Sequence, residues 1–290
     1  LIQAVLEAGK HVFSEFPLGK TTKESENILH AAHSSGARHF VSLQSRANPE
    51  LAYLKHLINT GYVGEVRAVH VNYSLPVYPT RSAAIHQGHV YLLDENNGAN
   101  NLTITAGHLL DGMMYLFGSF HDISATLRTD AKIVPVIETG EKIIATSPDH
   151  LVITGTLENG ALFSTHVRST FTSNFSFEIN GSKGDLVLTF PSSSSHKMFQ
   201  IDPFLILGTQ GKGDVLEELS VPSKYYLTPK NIESIPAYNI AQLYTIIYQD
   251  LKDNTHVAPS FHTAINIHQL LDEIRLSANT KQTRTLSEGV

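Results

Sequence analysis

A chain of 290 residues with a net charge of −6 and no cysteine already excludes disulfides and thiolate catalysis, and leaves His, Asp and Glu as the available metal ligands. Charges of both signs are interspersed and no Lys/Arg cluster traces a phosphate backbone, so direct nucleic-acid binding is not expected. The length suits two sub-structures sharing an interface, no apolar run reaches the roughly 20 residues of a membrane span, and no signal-peptide layout opens the chain, so an intracellular protein, cytoplasmic or nuclear, is expected.

Leu1, Val5, Leu6 and Ala8 form a helical pattern that stops at Gly9; because Leu1 already sits inside it, preceding residues are expected. His11 to Ser14 reads as a short strand, and Thr21-Thr22-Lys23-Glu24 is a capping box opening a helix that ends at Gly36. His39 to Leu43 is a second strand, and Asn48-Pro49, an N-cap followed by proline, opens a third helix closed by Gly61. Helix, strand, helix, strand, helix is the second half of a doubly wound parallel unit. From Val63 the texture changes. Alternating runs at Val66–Tyr73, Ser124–Arg128, Leu151–Leu157, Leu162–Val167, Phe175–Ile179 and Leu186–Thr189 predict a mostly antiparallel sheet, with hairpin turns at Glu158–Gly160 and Asn180–Gly184. One helix, Leu102–Phe117, interrupts the strands, and two amphipathic helices carrying Ile240–Leu251 and Ile267–Ile274 finish the chain. Ser192–Ser195 and Gly208–Gly213 read as loops.

Three segments carry chemistry. The strand end Ser14-Glu15-Phe16-Pro17 resembles the Glu-Lys-Pro signature of the glucose-fructose oxidoreductase and inositol dehydrogenase (Gfo/Idh/MocA) family, with Phe16 where that family has a lysine touching nicotinamide and substrate. Phenylalanine offers an apolar face where lysine could donate a hydrogen bond. Ser42-Leu43-Gln44-Ser45-Arg46 resembles the family's next strand end, which flanks the nicotinamide; the resemblance therefore implies cofactor contacts from Glu15, Phe16, Pro17, Gln44 and Arg46. Ordinary loop polarity is the alternative for Gln44 and Arg46. Asn100 to Asp111 resembles the segment that presents an Asp and a His four residues apart. His108 matches the histidine, so it is the candidate acid/base, while Ile104 stands in the acid's place. The same resemblance places Asn101, Thr105, His108 and Asp111 toward substrate, with Asp111 as a structural acid in the alternative. A histidine in an amphipathic helix is otherwise an ordinary packing residue.

A narrower set of residues, including Gly107 to Asp111, Pro148-Asp149-His150-Leu151 and Gly181 to Leu186, resembles the branch of that family that holds the yeast galactose-regulon repressors. The fold expected is a truncated Rossmann domain, residues 1–62, followed by an α/β domain with a large, mostly antiparallel open sheet, residues 63–290. The site is expected between them, with Phe16 and His108 facing each other across an open cleft. The resemblance implies NAD or NADP as cofactor, with the Gly-x-Gly-x-x-Gly fingerprint expected upstream of Leu1, and a homodimer. Two functions follow: an oxidoreductase acting on a sugar or polyol, or a non-catalytic regulator that senses a dinucleotide and binds a transcription activator protein. Sixteen histidines include no His-x-x-x-His helix pair with an adjoining acid, so no metal is assigned.

Overall fold

Two short strands, β1 (Val12–Ser14) and β2 (His39–Val41), pair in parallel, with Val12 opposite His39 and Ser14 opposite Val41. The computed structural model describes residues 1–76, 84–194, 196–211, 213, 215–229, 232 and 235–286. Helix α1 (Ile2–Glu7) precedes β1, and α2 (Thr22–Ser35) crosses from β1 to β2. The cap of α2 is a variant of the expected box. Thr21 accepts the Glu24 amide at 3.1 Å, but the Glu24 carboxylate reaches back one residue further, to the amide of Lys20 at 2.8 Å. Gly36, at φ 67°, ends the helix in the left-handed region. After a 3-10 turn at Gln44–Ala47, α3 (Pro49–Asn59) starts with Asn48 accepting from the Leu51 amide.

The second sub-structure is built on a large sheet. Its strands are β3 (Val66–Leu75), β4 (Phe120–Arg128), β7 (His150–Leu157), β8 (Leu162–Ser169), β9 (Asn174–Gly181), β10 (Gly184–Thr189), β11 (Leu205–Gln210), β12 (Glu217–Glu218) and β13 (Arg284–Thr285). They lie in the order β12-β11-β10-β9-β3-β8-β7-β4-β13, and only the β3–β8 pair is parallel. A separate hairpin pairs β5 (Ile133–Pro135) with β6 (Lys142–Ile144). The period of two sorts side chains cleanly: Val69, Val71 and Tyr73 of β3, Leu151 and Ile153 of β7, and Phe175, Phe177 and Ile179 of β9 point into the core. Helices α4 (Gly107–Phe117) and α6 (Phe261–Thr280) bury their apolar stripes in the same core, while Val152 and Leu162 stay exposed on the sheet.

Three differences from the sequence reading have identifiable causes. Gly208 to Gln210, read as loop, belong to β11; a Cβ on Gly208 would lie 2.7 Å from the Tyr62 hydroxyl, so this glycine marks a close approach and not a turn. Ser195 and Lys212, in the other halves of the two expected loops, lie outside the described residues. Helix α5 (Ile235–Asp253) and α6 return to the first sub-structure, where Leu243, Ile247 and Ala258 share a small core with Phe40 and Ala47. The division expected at residue 62 assigns these helices to the second unit, yet much of their packing is with the first. Finally, the helix read as continuous from Leu102 opens with a π-helical turn, Asn101–Ala106, before regular α geometry begins at Gly107.

Candidate functional site

Phe16 follows the carboxyl end of β1, and its peptide with Pro17 is cis. The ring is 5% exposed and sits in a socket made by two helices. From α4 the socket receives His108, edge-on at 5.6 Å between ring centroids, and Gly107, where an added Cβ would come within 2.8 Å of Phe16 Cε1. From α6 it receives His268, whose ring centroid lies 5.5 Å away. Phe16 and His108 therefore meet. The open cleft expected between them is not there: His108 is 4% exposed and the space is filled by aromatic packing. This corrects the expectation: a phenyl ring is stabilised by apolar burial that a lysine at this position would resist, and His268 closes the socket from α6.

The two histidines of the socket are chemically muted. Among the described residues His108 Nδ1 and His268 Nε2 are buried with no hydrogen-bond partner, and burial lowers both imidazoles to about 4. No carboxylate among the described residues orients His108. The position four earlier is on the π turn, where the wider winding removes the i, i+4 stacking of a regular helix. Ile104 accordingly packs into a satellite cluster with Ile85, Leu92, Leu93 and Val136. Asn101 and Thr105 of the same turn are each 4% exposed, and Asn100 caps it by accepting the amides of Leu102 and Thr103.

Gln44 and Arg46 stand on the 3-10 turn after β2. Gln44 is 9% exposed and accepts from the Ser42 hydroxyl at 3.2 Å. Arg46 is committed to Asp111: its Nε donates to both carboxylate oxygens at 2.9 and 3.1 Å, and Nη2 donates to Oδ1 at 2.7 Å. The Asp111 side chain is fully buried, so burial pushes its carboxyl above the usual carboxylate range while the Arg46 guanidinium pulls against that shift. The substrate contact expected of Asp111 and the cofactor contact expected of Arg46 are thus largely used up by each other. The guanidinium also lies 5.6 Å from the Tyr115 ring, which Lys55 Nζ approaches to 3.8 Å. Burial, with Arg46 beside it, lowers the Lys55 ammonium below its ordinary range. Glu15 is exposed and Pro17 half-buried at the rim.

Sequence reasoning missed His268, although its place within the apolar stripe Ile267, Leu270, Leu271 of α6 is a signal that it is buried. It also missed a group at the amino end of β2. His33, His39 and His262 converge there, beside a cavity of about 490 Å³. These residues come from three elements far apart in the chain, so no local spacing could have announced them.

A parallel strand pair with its crossover helix, joined to a large open sheet and meeting it at these strand ends, defines the class: a Rossmann-like α/β fold with a large, mostly antiparallel sheet. Residues 49–190 match the family model described as Gal80p, C-terminal domain. The chain is 29% identical over 198 residues to the galactose/lactose metabolism regulatory protein GAL80 of Saccharomyces cerevisiae, covering 62% of this chain and 43% of that protein. It is 28% identical over 234 residues to dehydrogenase aclE of Aspergillus oryzae, covering 76% and 61% respectively. A levoglucosan dehydrogenase, solved in complex with NADH and levoglucosan, superposes with a TM-score of 0.80 at 20% identity over 99% of this chain and 76% of that one. The chain is thus similar both to galactose regulatory proteins and to dehydrogenases of this architecture. It spans about half the length of the curated relatives it matches.

Proposed function

We propose that the chain is part of an NAD(P)-binding protein of the oxidoreductase family in which the site serves recognition more than turnover. The carrying observation is His108, buried against Phe16, without a carboxylate partner among the described residues and held neutral down to about pH 4. A general base works best with a pKa near the operating pH and within reach of the proton it takes; His108 meets neither condition. This supports a galactose-repressor-like regulator that senses a dinucleotide at Glu15–Pro17 and Gln44 and binds a transcription activator protein. The kinship to GAL80 points the same way.

A dehydrogenase acting on a sugar or polyol is the second reading, favoured by the dehydrogenase relative and by the retained Glu15, Pro17 and His108. For either, residues 1–62 contribute to the dinucleotide side, the remainder forms the second domain, and the exposed sheet face around Val152 and Leu162 is suited to a homodimer.

The discriminating experiment uses the full-length protein. NADH and NADPH binding is followed by fluorescence, and turnover is assayed across a panel of sugars and polyols. The proposal expects dinucleotide binding with no turnover, and His108→Ala should leave binding within about twofold. Turnover that falls by about 10²–10⁴ in His108→Ala would establish the dehydrogenase reading instead.

A further inference from the structure

The three histidines at the amino end of β2 form an arrangement that the site above does not use. His33 lies in the last turn of α2, His39 opens β2, and His262 lies in the first turn of α6. One ring nitrogen of each falls within 4.8 Å of the others, and the Nε2 atoms of His33 and His262 are 2.9 Å apart. Two imidazole nitrogens at that separation share a single proton. A divalent ion placed between them would satisfy both lone pairs at once, with the proton of the donating ring moved to its Nδ1.

We propose that His33, His39 and His262 form a binding site for a divalent transition ion of the zinc, cobalt or nickel type. Borderline ions of this class prefer imidazole nitrogen, and three protein ligands with one open position is a recurrent tetrahedral arrangement. The site is held in place. His39 stacks on the Phe261 ring at 4.8 Å, and its Nδ1 accepts the Phe261 amide at 3.2 Å. Coordination through Nδ1 displaces that one long hydrogen bond; coordination through Nε2 moves the proton to Nδ1 and ends the same bond, since Nδ1 can then no longer accept. The cavity beside the cluster is also lined by His256, and the fourth position is left to water.

The charges around the cluster permit it. The imidazoles of His39 and His262 are lowered by burial first and by their histidine neighbours next, which keeps them as neutral ligands. Arg38 is the cation facing the cavity, but its guanidinium is held by other partners: it donates to the Thr255 carbonyl at 2.6 Å and lies over the Phe40 ring. The histidines sit at the amino end of β2, whereas Gln44 and the Phe16 socket follow the carboxyl ends of the strands. An ion here would tie α2, β2 and α6 together without touching the dinucleotide side.

The test is a Co²⁺ titration of the intact protein followed by its visible d–d absorption, with Zn²⁺ titration calorimetry in parallel. The expected result is one equivalent bound with nitrogen-type bands, bleached by Zn²⁺. His33→Gln and His262→Gln, both at exposed positions, should each weaken binding by at least about tenfold, since even loss of a group that supports a ligand costs 10- to 100-fold. In the unaltered protein, side-chain ¹⁵N spectra should show these three imidazoles shifting together with one equivalent of Zn²⁺. Absence of bands and heat, binding by the two variants as tight as that of the unaltered protein, or shifts confined to other histidines would overturn the proposal.

Discussion

Replacing Arg46 with alanine separates a structural arginine from a cofactor-binding one. The substitution removes the three donor contacts that hold Asp111 and leaves a carboxylate whose side chain has no exposure at all. Breaking one side of a buried pair costs about 3–5 kcal/mol, because the surviving charge is stranded. The Arg46 side chain is 23% exposed, so water can enter the vacated space, which places the loss near the lower end, at about 3 kcal/mol. Removing both partners is a different matter: Arg46→Met with Asp111→Leu should recover most of that loss, since an apolar pair of similar volume is often neutral. The pH dependence follows from the direction of the Asp111 shift. Burial raises this acid, and without Arg46 nothing opposes the rise; a raised acid contributes its stability below the unfolded value of about 4 and loses it as pH rises. The Arg46→Ala deficit should therefore be larger at pH 7 than at pH 4. Urea unfolding at the two pH values measures it. A loss below about 1 kcal/mol at pH 7, accompanied by weaker dinucleotide binding, would refute the structural assignment and return Arg46 to the cofactor.

Acid should destabilise the protein through the Phe16 socket. His108 and His268 are lowered to about 4, so their contribution is complete above the unfolded value near 6.5 and disappears as pH falls toward 4, by roughly 3 kcal/mol for each at pH 4; replacing both with leucine should flatten unfolding midpoints across that window. Gly107→Ala should cost about 1–3 kcal/mol by thermal or urea unfolding, because its methyl meets Phe16 Cε1 at 2.8 Å, and most of the cost should vanish in combination with Phe16→Leu. Phe16→Ala alone should cost about 3–5 kcal/mol, the range for emptying a packed aromatic site.

The elements with local signals were legible in the sequence. Thr21 and Gly36 bracket α2, Asn48-Pro49 opens α3, and the two-residue alternation of β3, β7, β8 and β9 marks their inward faces. Features set by distant partners were not. Gly208 reads as a loop until the Tyr62 hydroxyl is placed against it, and the π turn at Asn101–Ala106 leaves no trace in a run that otherwise looks helical. That turn matters most for the site. Ile104, on that turn, packs into the β5–β6 cluster and not beside His108. The meeting of Phe16 with His108 could be anticipated from the family resemblance, but its closure could not, because His268 arrives from α6, far along the chain. The three-histidine group is non-local in the same way.

Whether His108 is a packing residue or a working base is read most directly from its own ring. Side-chain ¹⁵N chemical shifts of His108, assigned by comparison with His108→Leu, can be followed from pH 8 to pH 4 in the full-length protein, with and without NADH. A neutral imidazole throughout, charging only near pH 4, is the predicted result. A titration centred between pH 6 and 7, with rapid exchange to solvent, would contradict it.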